Sequence, residues 1–364
     1  MMRSFVDPMV LLICFLCISF SSAQSSCPQP AGLHAAAKAS GKLYFGTAFD
    51  DPELSDLPFA ALLNNTSDFG QITPGNAMKF DATHPTPTQY TLSRASSAVS
   101  LAAANGQLLR CHTLVWHSQL PGWITNPPTP WTNDTLTPVL QEHIHTLASA
   151  FKGRCAAWDV VNEALNEDGT WRDTVWYRTI GEAYVPLAFE VAAKADPSVK
   201  LYYNDYNIES EGAKAEGVRR IVKLVKDRGI PIHGVGLQAH LVSGSAPSTA
   251  DLARVMVSYT ALGVDAAITE LDVRIKDADA GATAETRQAT EYANVIKACK
   301  TVARCVGVTV WGISDRHSWV PGTFKGEGHA LPWDKDLKKK PAYKAMIDAW
   351  MLGQICPMGG RSGA

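Results

Sequence analysis

The chain has 364 residues, 46% apolar and 19% charged, and its 33 Lys and Arg against 35 Asp and Glu give a net charge of −2. This balance argues against polyanionic partners such as nucleic acid, and the length suffices for one large hydrophobic core. A neutral polysaccharide is one of many substrates that would suit such a chain.

The N-terminus has the pattern of a secretory signal peptide. Arg3 is its only early basic residue, and the apolar run from Met9 to Phe20 is shorter than the roughly 20 residues that a membrane anchor, the alternative, would need. Small residues precede a predicted cleavage site after Ala23. We therefore expect residues 1–23 to be a signal peptide and the protein to be secreted, extracellular.

Strand-like apolar runs alternate with helical patterns along the rest of the chain. After a helical start at Ala31 to Ser40, strands are predicted near 43–48, 71–74, 107–113, 157–162, 200–205, 234–239, 266–271 and 307–311. Helices are predicted near 53–64, 93–105, 137–151, 174–195, 213–228, 248–262, 284–304 and 341–352. Eight strands in regular alternation with helices are typical of an α/β fold, the (β/α)8 or TIM barrel.

A doubly wound open sheet is the main structural alternative. That fold usually opens with a glycine-rich phosphate-binding turn, whereas the first predicted strand here runs into Phe49-Asp50-Asp51. No Ser/Gly/Pro-rich linker and no internal repeat divides the chain. We therefore predict a single domain over residues 24–364.

Six cysteines follow the signal peptide, and secretion permits disulfides between them. Six cysteines allow 15 complete pairings, so the sequence leaves the connectivity open. Two pairs are favoured: Cys299 with Cys305 across a short loop, and Cys27 with Cys356 between the termini. Cys111 and Cys155 each lie at a predicted strand, and we expect free buried thiols there. Glycosylation sequons lie in polar stretches at Asn64, Asn65 and Asn133.

Two predicted strands end in a carboxylate. The apolar stretch from Trp158 leads into Asn162 and Glu163, and a similar stretch from Ala266 leads into Glu270. The carboxyl ends of parallel strands meet at one end of a barrel, so these two groups can face each other across one pocket. Two facing carboxylates are the usual requirement for hydrolysis of a glycosidic bond. The sequence therefore predicts a glycoside hydrolase.

Other predicted strand ends carry amides, imidazoles and indoles. Amides bind sugar hydroxyls, and indole faces stack on the apolar faces of sugar rings, so this composition favours a carbohydrate site. The residues concerned are Asn76, Lys79, His112, Trp116, Asn204, Asp205, Tyr206, Gln238, His240, Asp272, Trp311 and Trp319.

Six motifs together resemble glycoside hydrolase family 10, whose members are mostly endo-β-1,4-xylanases on a single barrel and include secreted fungal enzymes. The resemblance covers nearly all of the chain after the signal peptide, with every motif in family order. The motifs are Thr-x-x-Asn-x-Met-Lys around Asn76, HTLVWHSQ at 112–119, WDVVNEA at 158–164, GLQAHL at 236–241, ITELDV at 268–273, and WGISD at 311–315 with Ser318-Trp319.

The resemblance implies a role for each catalytic candidate. Glu163 would be the general acid and base and Glu270 the nucleophile of a retaining mechanism, with the two carboxyl groups about 5–5.5 Å apart. Repulsion at that range allows one carboxyl to keep its proton while the other is ionised. Asn162 would bond the 2-hydroxyl of the reacting sugar, and His240, with Asp272 behind it, would hold Glu270.

The resemblance also implies substrate-binding roles around these groups. Lys79, His112, Gln238, Trp311 and Trp319 would line the subsite of the reacting sugar. Trp116 would form a wall on the glycone side, Asn76 would bond the sugar one place beyond the reacting one, and Tyr206 and Asn207 would contact the leaving group.

One stretch departs from the family pattern. The family usually has Glu at the positions of Gly75 and Ala77, and Trp at that of Phe80. The Glu that corresponds to Gly75 normally bonds the sugar one place beyond the reacting one, a charge-assisted bond of roughly 1.5–3 kcal/mol. We therefore expect weaker glycone binding and dependence on longer chains, which Gly75→Glu would reverse. Pro74-Gly75 also suits a type II turn.

Several residues are expected to be structural. His143 and His145 are expected at the surface, and Trp171, Trp176 and Trp350 in packing. Trp123 and Trp131 could either pack or bind sugar. Neither a His-Glu-x-x-His motif nor a close Cys/His cluster suggests a metal site.

The leading interpretation is therefore a retaining endo-β-1,4-xylanase that acts on xylan or xylo-oligosaccharides as a monomer, without cofactor or metal and without nucleic-acid or membrane partners. No separate carbohydrate-binding module is expected. A related retaining barrel that acts on glucan, mannan or a plant glycoside is the enzymatic alternative. A catalytically inactive carbohydrate-binding barrel is the alternative from a different class.

Overall fold

The computed structural model describes residues 30–353. The predicted signal peptide and the predicted Cys27–Cys356 pair lie outside the described residues. Within the described residues, no helix is long and apolar enough to cross a membrane.

Eight parallel strands close into a barrel. The sheet runs through β1, β2, β3, β4, β5, β6, β8 and β9 in order, and β9 pairs back with β1. Two short strands, β7 and β10, add to the C-terminal part of β8. The strands are β1 Tyr44–Phe49, β2 Gln71–Pro74, β3 Leu108–Val115, β4 Ala157–Asn162, β5 Lys200–Asp205, β6 Gly234–Leu237, β7 His240–Val242, β8 Asp265–Lys276, β9 Cys305–Val310 and β10 Glu327–Gly328.

Helices surround the barrel and join its strands. They are α1 Leu33–Ala39, α2 Leu57–Leu63, α3 Phe80–Thr83, α4 Ser93–Asn105, α5 Gly122–Thr125, α6 Asn133–Ala150, α7 Val175–Ile180, α8 Tyr184–Ala195, α9 Ala213–Lys226, α10 Thr249–Thr260, α11 Ala282–Thr301, α12 Val320–Thr323 and α13 Pro341–Met351. Short 3₁₀ helices lie at Asp51–Ser55, Gly181–Ala183 and Asp277–Asp279. The predicted α/β class, the (β/α)8 barrel and the single domain are confirmed.

The strands are buried along almost their whole length because one face of the sheet fills the barrel and the other contacts helices. All six residues of β1 and all six of β4 are buried. The helices instead bury one face each, as Val218, Ile221 and Val225 do on α9. Apolar side chains between the sheet and the helix ring form one large core.

Several predicted elements differ in extent from the structure, and two of these differences have a clear cause. The predicted helix over 174–195 divides into α7, a 3₁₀ turn and α8, because Gly181 adopts a left-handed conformation with φ of 73° and ends α7. The strand predicted near 266–271 continues to Lys276 as β8, since β7 and β10 supply hydrogen-bond partners for its extension.

The cysteines confirm one prediction and overturn another. Cys299 and Cys305 form the expected disulfide. Cys111 and Cys155 are not free thiols but a second disulfide. Cys111 lies on β3 and Cys155 lies two residues before the neighbouring parallel strand β4, which brings their Cα atoms within 5.7 Å of each other. This distance is typical of a bridge.

His143 is wholly buried, so the prediction that it lies at the surface is wrong. Its ring stacks on Phe80 with 3.7 Å between ring centroids, and the Phe80 ring also contacts Trp176. Phe80, which stands where the family usually has Trp, therefore belongs to an aromatic cluster between α3 and α6. His143 faces the barrel because it shares the buried stripe of α6 with Leu136, Leu140, Ile144 and Leu147.

The tryptophans expected in packing are buried or packed against the core. Trp176 and Trp350 are fully buried, and Trp171 is partly buried beside Tyr177. Trp123 and Trp131, for which two roles were open, also pack on the core and donate their indole N–H groups to the backbone carbonyls of His84 and Ile124. Of the sequon asparagines, Asn64 and Asn133 are exposed and Asn65 is half-buried.

Candidate active site

A cavity of about 730 Å³ opens at the carboxyl ends of the barrel strands. Every predicted catalytic and substrate-binding residue lines this cavity except Asp272, which lies behind His240. These lining residues are Asn76, Lys79, His112, Trp116, Asn162, Glu163, Tyr206, Asn207, Gln238, His240, Glu270, Trp311 and Trp319.

Glu163 directly follows β4 in an unusual backbone conformation. Its φ is 55°, and its N–H donates to the carbonyl of Asn204 at the end of β5. Left-handed conformations are uncommon for residues other than glycine and recur at functional sites. Here the conformation turns the carboxyl group into the cavity immediately after the buried strand.

Three donors hold the Glu163 carboxyl group. Trp116 Nε1 donates to Oε2 at 2.8 Å, and Gln238 Nε2 and Asn162 Nδ2 donate to Oε1 at 3.0 and 3.2 Å. The His117 ring nitrogen Nδ1 lies 3.9 Å from Oε2. The carboxyl group is thus fixed in position while its side chain stays 12% exposed to the cavity.

Glu270 lies within β8, and side chains from two other strands hold its carboxylate. Asn204 Nδ2 donates to Oε1 at 2.8 Å, and His240 Nε2 lies 3.1 Å from Oε2. Burial alone would raise the pKa of Glu270, but the His240 hydrogen bond and the neighbouring His112 and His240 imidazoles hold it below the usual value. Glu270 is therefore ionised at neutral pH, as a nucleophilic carboxylate requires.

His240 connects Glu270 to Asp272. Its Nδ1 lies 2.9 Å from Asp272 Oδ2, which also accepts the Trp319 indole N–H at 2.8 Å. Burial would lower the pKa of His240, but the charge of Asp272 and hydrogen bonds to Asp272 and Glu270 raise it to about 10. At neutral pH the imidazole is therefore a cation that donates from both nitrogens, one to each carboxylate.

A network of amides joins the two catalytic candidates. Asn204 Nδ2 donates to Asn162 Oδ1 as well as to Glu270, and Gln238 Nε2 donates to Glu163 and lies 3.3 Å from Asn162 Oδ1. Thr269 Oγ1 fixes the Asn204 amide by donating to its Oδ1 at 2.7 Å. Side chains from four consecutive barrel strands, β4, β5, β6 and β8, thus form one rigid arrangement.

A buried ion pair between Asp159 and Arg110 fixes the orientation of His112. Its Nδ1 lies 3.0 Å from Asp159 Oδ2, and Asp159 also pairs with Arg110. Burial would raise the pKa of Asp159, but the Arg110 guanidinium keeps it below its usual value. The His112 ring then faces the cavity edge-on to Trp311, with 5.5 Å between ring centroids.

The end of the cavity near β1 and β2 is polar. Asn76 Oδ1 accepts from Lys79 Nζ and Gln119 Nε2, both at 3.0 Å, and Asn76 Nδ2 donates to Asp50 at 2.6 Å. Lys79 also donates to Gln119 Oε1 at 2.6 Å and lies 4.7 Å above the Trp116 ring. This cluster presents a fixed set of donors and acceptors beside the carboxyl groups.

The opposite end of the cavity is formed by the loop after β5. Arg172 donates to the Tyr206 hydroxyl at 2.9 Å, and Lys214 Nζ lies 3.6 Å from the centre of the Tyr206 ring. Asn207, with φ of 54°, donates to Glu167 at 3.1 Å. Both residues predicted to contact a leaving group are therefore held at the same end of the cavity.

The arrangement suits acid–base and nucleophilic chemistry on a polyhydroxylated substrate. It combines one ionised carboxylate, a second carboxyl group within reach of the same network, and indole surfaces for sugar rings. Among residues 30–353, no group of three or more His, Cys, Asp or Glu side chains is arranged to hold a metal ion.

Comparison with known proteins decides the family. The model for glycosyl hydrolase family 10 matches residues 32–349. The chain belongs to this family. Family 10 enzymes are retaining hydrolases of xylan, and the chain is a glycoside hydrolase with endo-1,4-β-xylanase homologues.

Similar family 10 proteins cover almost the whole described region. Endo-1,4-beta-xylanase D of Talaromyces funiculosus is 54% identical over 323 residues, 89% of this chain and 78% of its own length. Endo-1,4-beta-xylanase 1 of Gibberella zeae is 51% identical over 327 residues, 88% and 91% of the two chains.

Solved family 10 structures share the fold. A xylanase from Bispora sp. MEY-1, crystallised with xylobiose, superposes with a TM-score of 0.85 at 45% identity and covers 87% of this chain and 99% of its own. Xylanase 10B from Thermotoga petrophila, also in complex with xylobiose, has a TM-score of 0.84 at 37% identity, with coverage of 89% and 98%.

Sequence reasoning missed several residues of this family 10 site. The sequence pattern indicates only that Asn204 lies at a strand end, whereas in the structure it bridges Asn162 and Glu270. Asp50 directly follows β1, where the same strand-end rule would have found it. The other missed lining residues are Ser118, Gln119 and Phe324 in loops, Arg274 on β8 beyond its predicted end, and Thr323 on α12, positions for which the predicted strand ends give no signal.

Proposed function

We propose that this family 10 protein is a retaining endo-β-1,4-xylanase in which Glu163 is the acid and base and Glu270 the nucleophile. The observation that carries the proposal is the amide network of Asn162, Asn204 and Gln238, which places both carboxyl groups in one cavity and gives each its own donors. The ionised state of Glu270 agrees with this assignment.

In the first step, a Glu270 carboxylate oxygen attacks the anomeric carbon of the reacting xylose. The bond from that carbon to the glycosidic oxygen breaks, and the oxygen takes the proton of Glu163 as it leaves. The products are a glycosyl ester on Glu270, a shortened xylan chain with a free hydroxyl, and an ionised Glu163.

In the second step, Glu163 acts as a base. Formation of the ester removes the negative charge of Glu270, and the Glu163 carboxylate takes a proton from a water molecule that attacks the same anomeric carbon. The ester bond breaks and Glu270 leaves as a carboxylate. Two displacements at one carbon restore the original anomeric configuration.

The supporting residues are proposed to act on the substrate or on the carboxyl groups. Asn162 bonds the 2-hydroxyl of the reacting sugar, an interaction that strengthens in the transition state. Cationic His240, backed by Asp272, keeps Glu270 in line with the anomeric carbon. Lys79, His112, Gln238, Trp311 and Trp319 line the reacting-sugar subsite, and Tyr206 and Asn207 contact the leaving chain.

Xylan is the proposed substrate because the reacting-sugar subsite is crowded. His240 contacts Trp319 with 4.8 Å between ring centroids, and Trp311 lies between His112 and His240. A pentose lacks the exocyclic hydroxymethyl group that such walls would exclude. We further propose that the mature chain is a secreted monomer of one domain.

Reducing-sugar release from glucuronoxylan, cellulose and mannan, with Glu270→Ala as the blank, tests the proposal. The expected result is release from xylan alone, abolished in the variant. Cleavage of glucan or mannan instead would reject xylan as the substrate. No release from any of the three would favour a plant-glycoside hydrolase or an inactive barrel.

A further inference from the structure

Asp50 and Gly75 lie side by side at the carboxyl ends of β1 and β2. Phe49 pairs with Pro74 in the parallel ladder, and the Gly75 N–H donates to the Phe49 carbonyl at 2.8 Å. The residues that follow these strands, Asp50 and Gly75, both line the catalytic cavity together with Asn76.

The Asp50 carboxylate fills the space that a side chain at position 75 would enter. A Cβ atom built on Gly75 would lie 3.3 Å from Asp50 Oδ2 and 3.4 Å from Oδ1. Gly75 does not adopt a positive φ, so the expected type II turn is wrong and the backbone does not require glycine here. The missing side chain at Gly75 therefore leaves room for the Asp50 carboxylate.

The carboxylate also takes part in the polar cluster at this end of the cavity. Asp50 Oδ2 accepts the Asn76 Nδ2 hydrogen bond, while Oδ1 is buried and has no hydrogen-bond partner among residues 30–353. The Asn76 backbone N–H also bonds this carboxylate. A carboxylate offers about four acceptor positions, so some remain for a sugar hydroxyl. The Asn76 amide is held from both sides, since its Oδ1 accepts from Lys79 and Gln119 and its Nδ2 donates to Asp50.

We propose that Asp50 supplies, from the end of β1, the carboxylate that a glutamate at position 75 would otherwise provide. It accepts a hydroxyl of the sugar one place beyond the reacting xylose on the glycone side, and it orients Asn76 toward the same sugar. This inference rests on the proposed xylanase function and adds a residue to its substrate specificity.

The proposal reverses the expectation drawn from Gly75 alone. If the subsite lacked a carboxylate, Gly75→Glu would improve binding of that sugar. With Asp50 already in place, the new side chain starts 3.3 Å from Oδ2 and adds a second negative charge, so Gly75→Glu lowers binding. A glutamate at position 75 restores binding of that sugar only when Asp50 is removed.

The test compares kcat/KM on para-nitrophenyl β-xylobioside with kcat/KM on para-nitrophenyl β-xyloside. Both substrates share the reacting sugar and the leaving group, so their ratio isolates the second glycone subsite. The variants are Asp50→Asn, Gly75→Glu and the double variant Asp50→Ala with Gly75→Glu. The matched control is Asp51→Asn, the same change one residue along, where the side chain pairs with Arg94 and does not line the cavity.

We expect Asp50→Asn to lower the ratio by about tenfold or more, as loss of a charge-assisted hydrogen bond would. Gly75→Glu lowers it too, the double variant recovers at least part of it, and the control keeps the wild-type ratio. An unchanged ratio in Asp50→Asn, or a raised ratio in Gly75→Glu, would overturn the proposal. If Asp50→Asn does not fold, the ratio measured for Gly75→Glu still tests the proposal. If the wild type hydrolyses neither para-nitrophenyl β-xylobioside nor para-nitrophenyl β-xyloside, that result would instead reject the xylanase function.

Discussion

At the scale of single residues, Glu163 is the side chain on which the proposed chemistry most depends. It accepts hydrogen bonds from Trp116, Gln238 and Asn162 and stands at a left-handed turn after β4. Replacement by Gln keeps the size of the side chain and removes the transferable proton. The Glu163→Gln variant therefore separates proton transfer from positioning.

We expect Glu163→Gln to reduce xylan hydrolysis by about 10²–10⁴-fold, the usual contribution of general acid–base catalysis. Ester formation from a dinitrophenyl xylobioside should be much less affected, because that leaving group needs no proton. Because the variant lacks the base for the second step, the glycosyl ester accumulates and dinitrophenol is released in an initial burst. Glu182→Gln, an exposed position on a 3₁₀ turn, is the control. Equal losses on both substrates would contradict the assignment.

His240 gives a pH-dependent prediction at the same scale. Because the pKa of His240 is raised in the folded state to about 10 from 6.5, its charge stabilises the fold fully below pH 6.5, and this contribution is lost as the pH rises toward 10. The charged groups facing it are Glu270, Asp272 and Glu209. Unfolding in urea should show that His240→Gln is strongly destabilised at pH 6 and much less so at pH 10. A difference that does not change with pH would contradict a cationic His240.

The positions of candidate site residues could be predicted from the sequence where strand order alone brings side chains together. Glu163 and Gln238 directly follow β4 and β6, and Glu270 lies within β8, so their convergence needs no knowledge of loops. His240 lies on the short strand β7 that comes after β6. The sequence was misleading for His143, since a polar residue on a helix is usually exposed, and for Cys111, since disulfide pairing depends on which strands are neighbours. The strand-end pattern could have placed Asp50 at the cavity, but its relation to Gly75 needed a distance that no sequence pattern supplies.

At the scale of elements, β3 and β4 are joined by a disulfide, by the Arg110–Asp159 ion pair and by the backbone ladder. The ion pair is almost fully buried, with side-chain exposures of 4% and 1%. Removing one member of such a pair leaves an uncompensated buried charge. The same change would also release His112 from Asp159.

We expect Asp159→Asn to lower the free energy of unfolding by about 3–5 kcal/mol, measured by urea denaturation. The matched control is Asp348→Asn on α13, whose partner Lys344 is 79% exposed. An exposed pair of this kind contributes no more than about 1 kcal/mol. Similar losses in the two variants would show that the buried pair does not stabilise the contact between β3 and β4.

Element positions were largely predictable because buried strands and amphipathic helices have distinct periods. Their ends were less predictable. The end of α7 at Gly181 needs the left-handed φ of one glycine, and the extension of β8 to Lys276 needs β7 and β10 as neighbours. Both depend on contacts between segments distant in the sequence.

At the scale of the whole molecule, the barrel explains why carboxyl groups about a hundred residues apart lie in one cavity. Closure between β9 and β1 directs all eight strand ends to one side, and the loops there complete the cavity. The alternation of strands and helices predicted this closure, whereas the shape of the cavity also depends on loop residues such as Phe324 and Gln119. The central claim is that Glu163 and Glu270 form a retaining pair in that cavity.

Proton NMR of the first products released from xylohexaose tests this claim most directly, with Glu270→Ala as the blank. Double displacement predicts that the β-anomer of the new reducing end forms first and converts to the α-anomer only by mutarotation, and that the variant releases neither. Initial release of the α-anomer, or undiminished release by Glu270→Ala, would contradict the account.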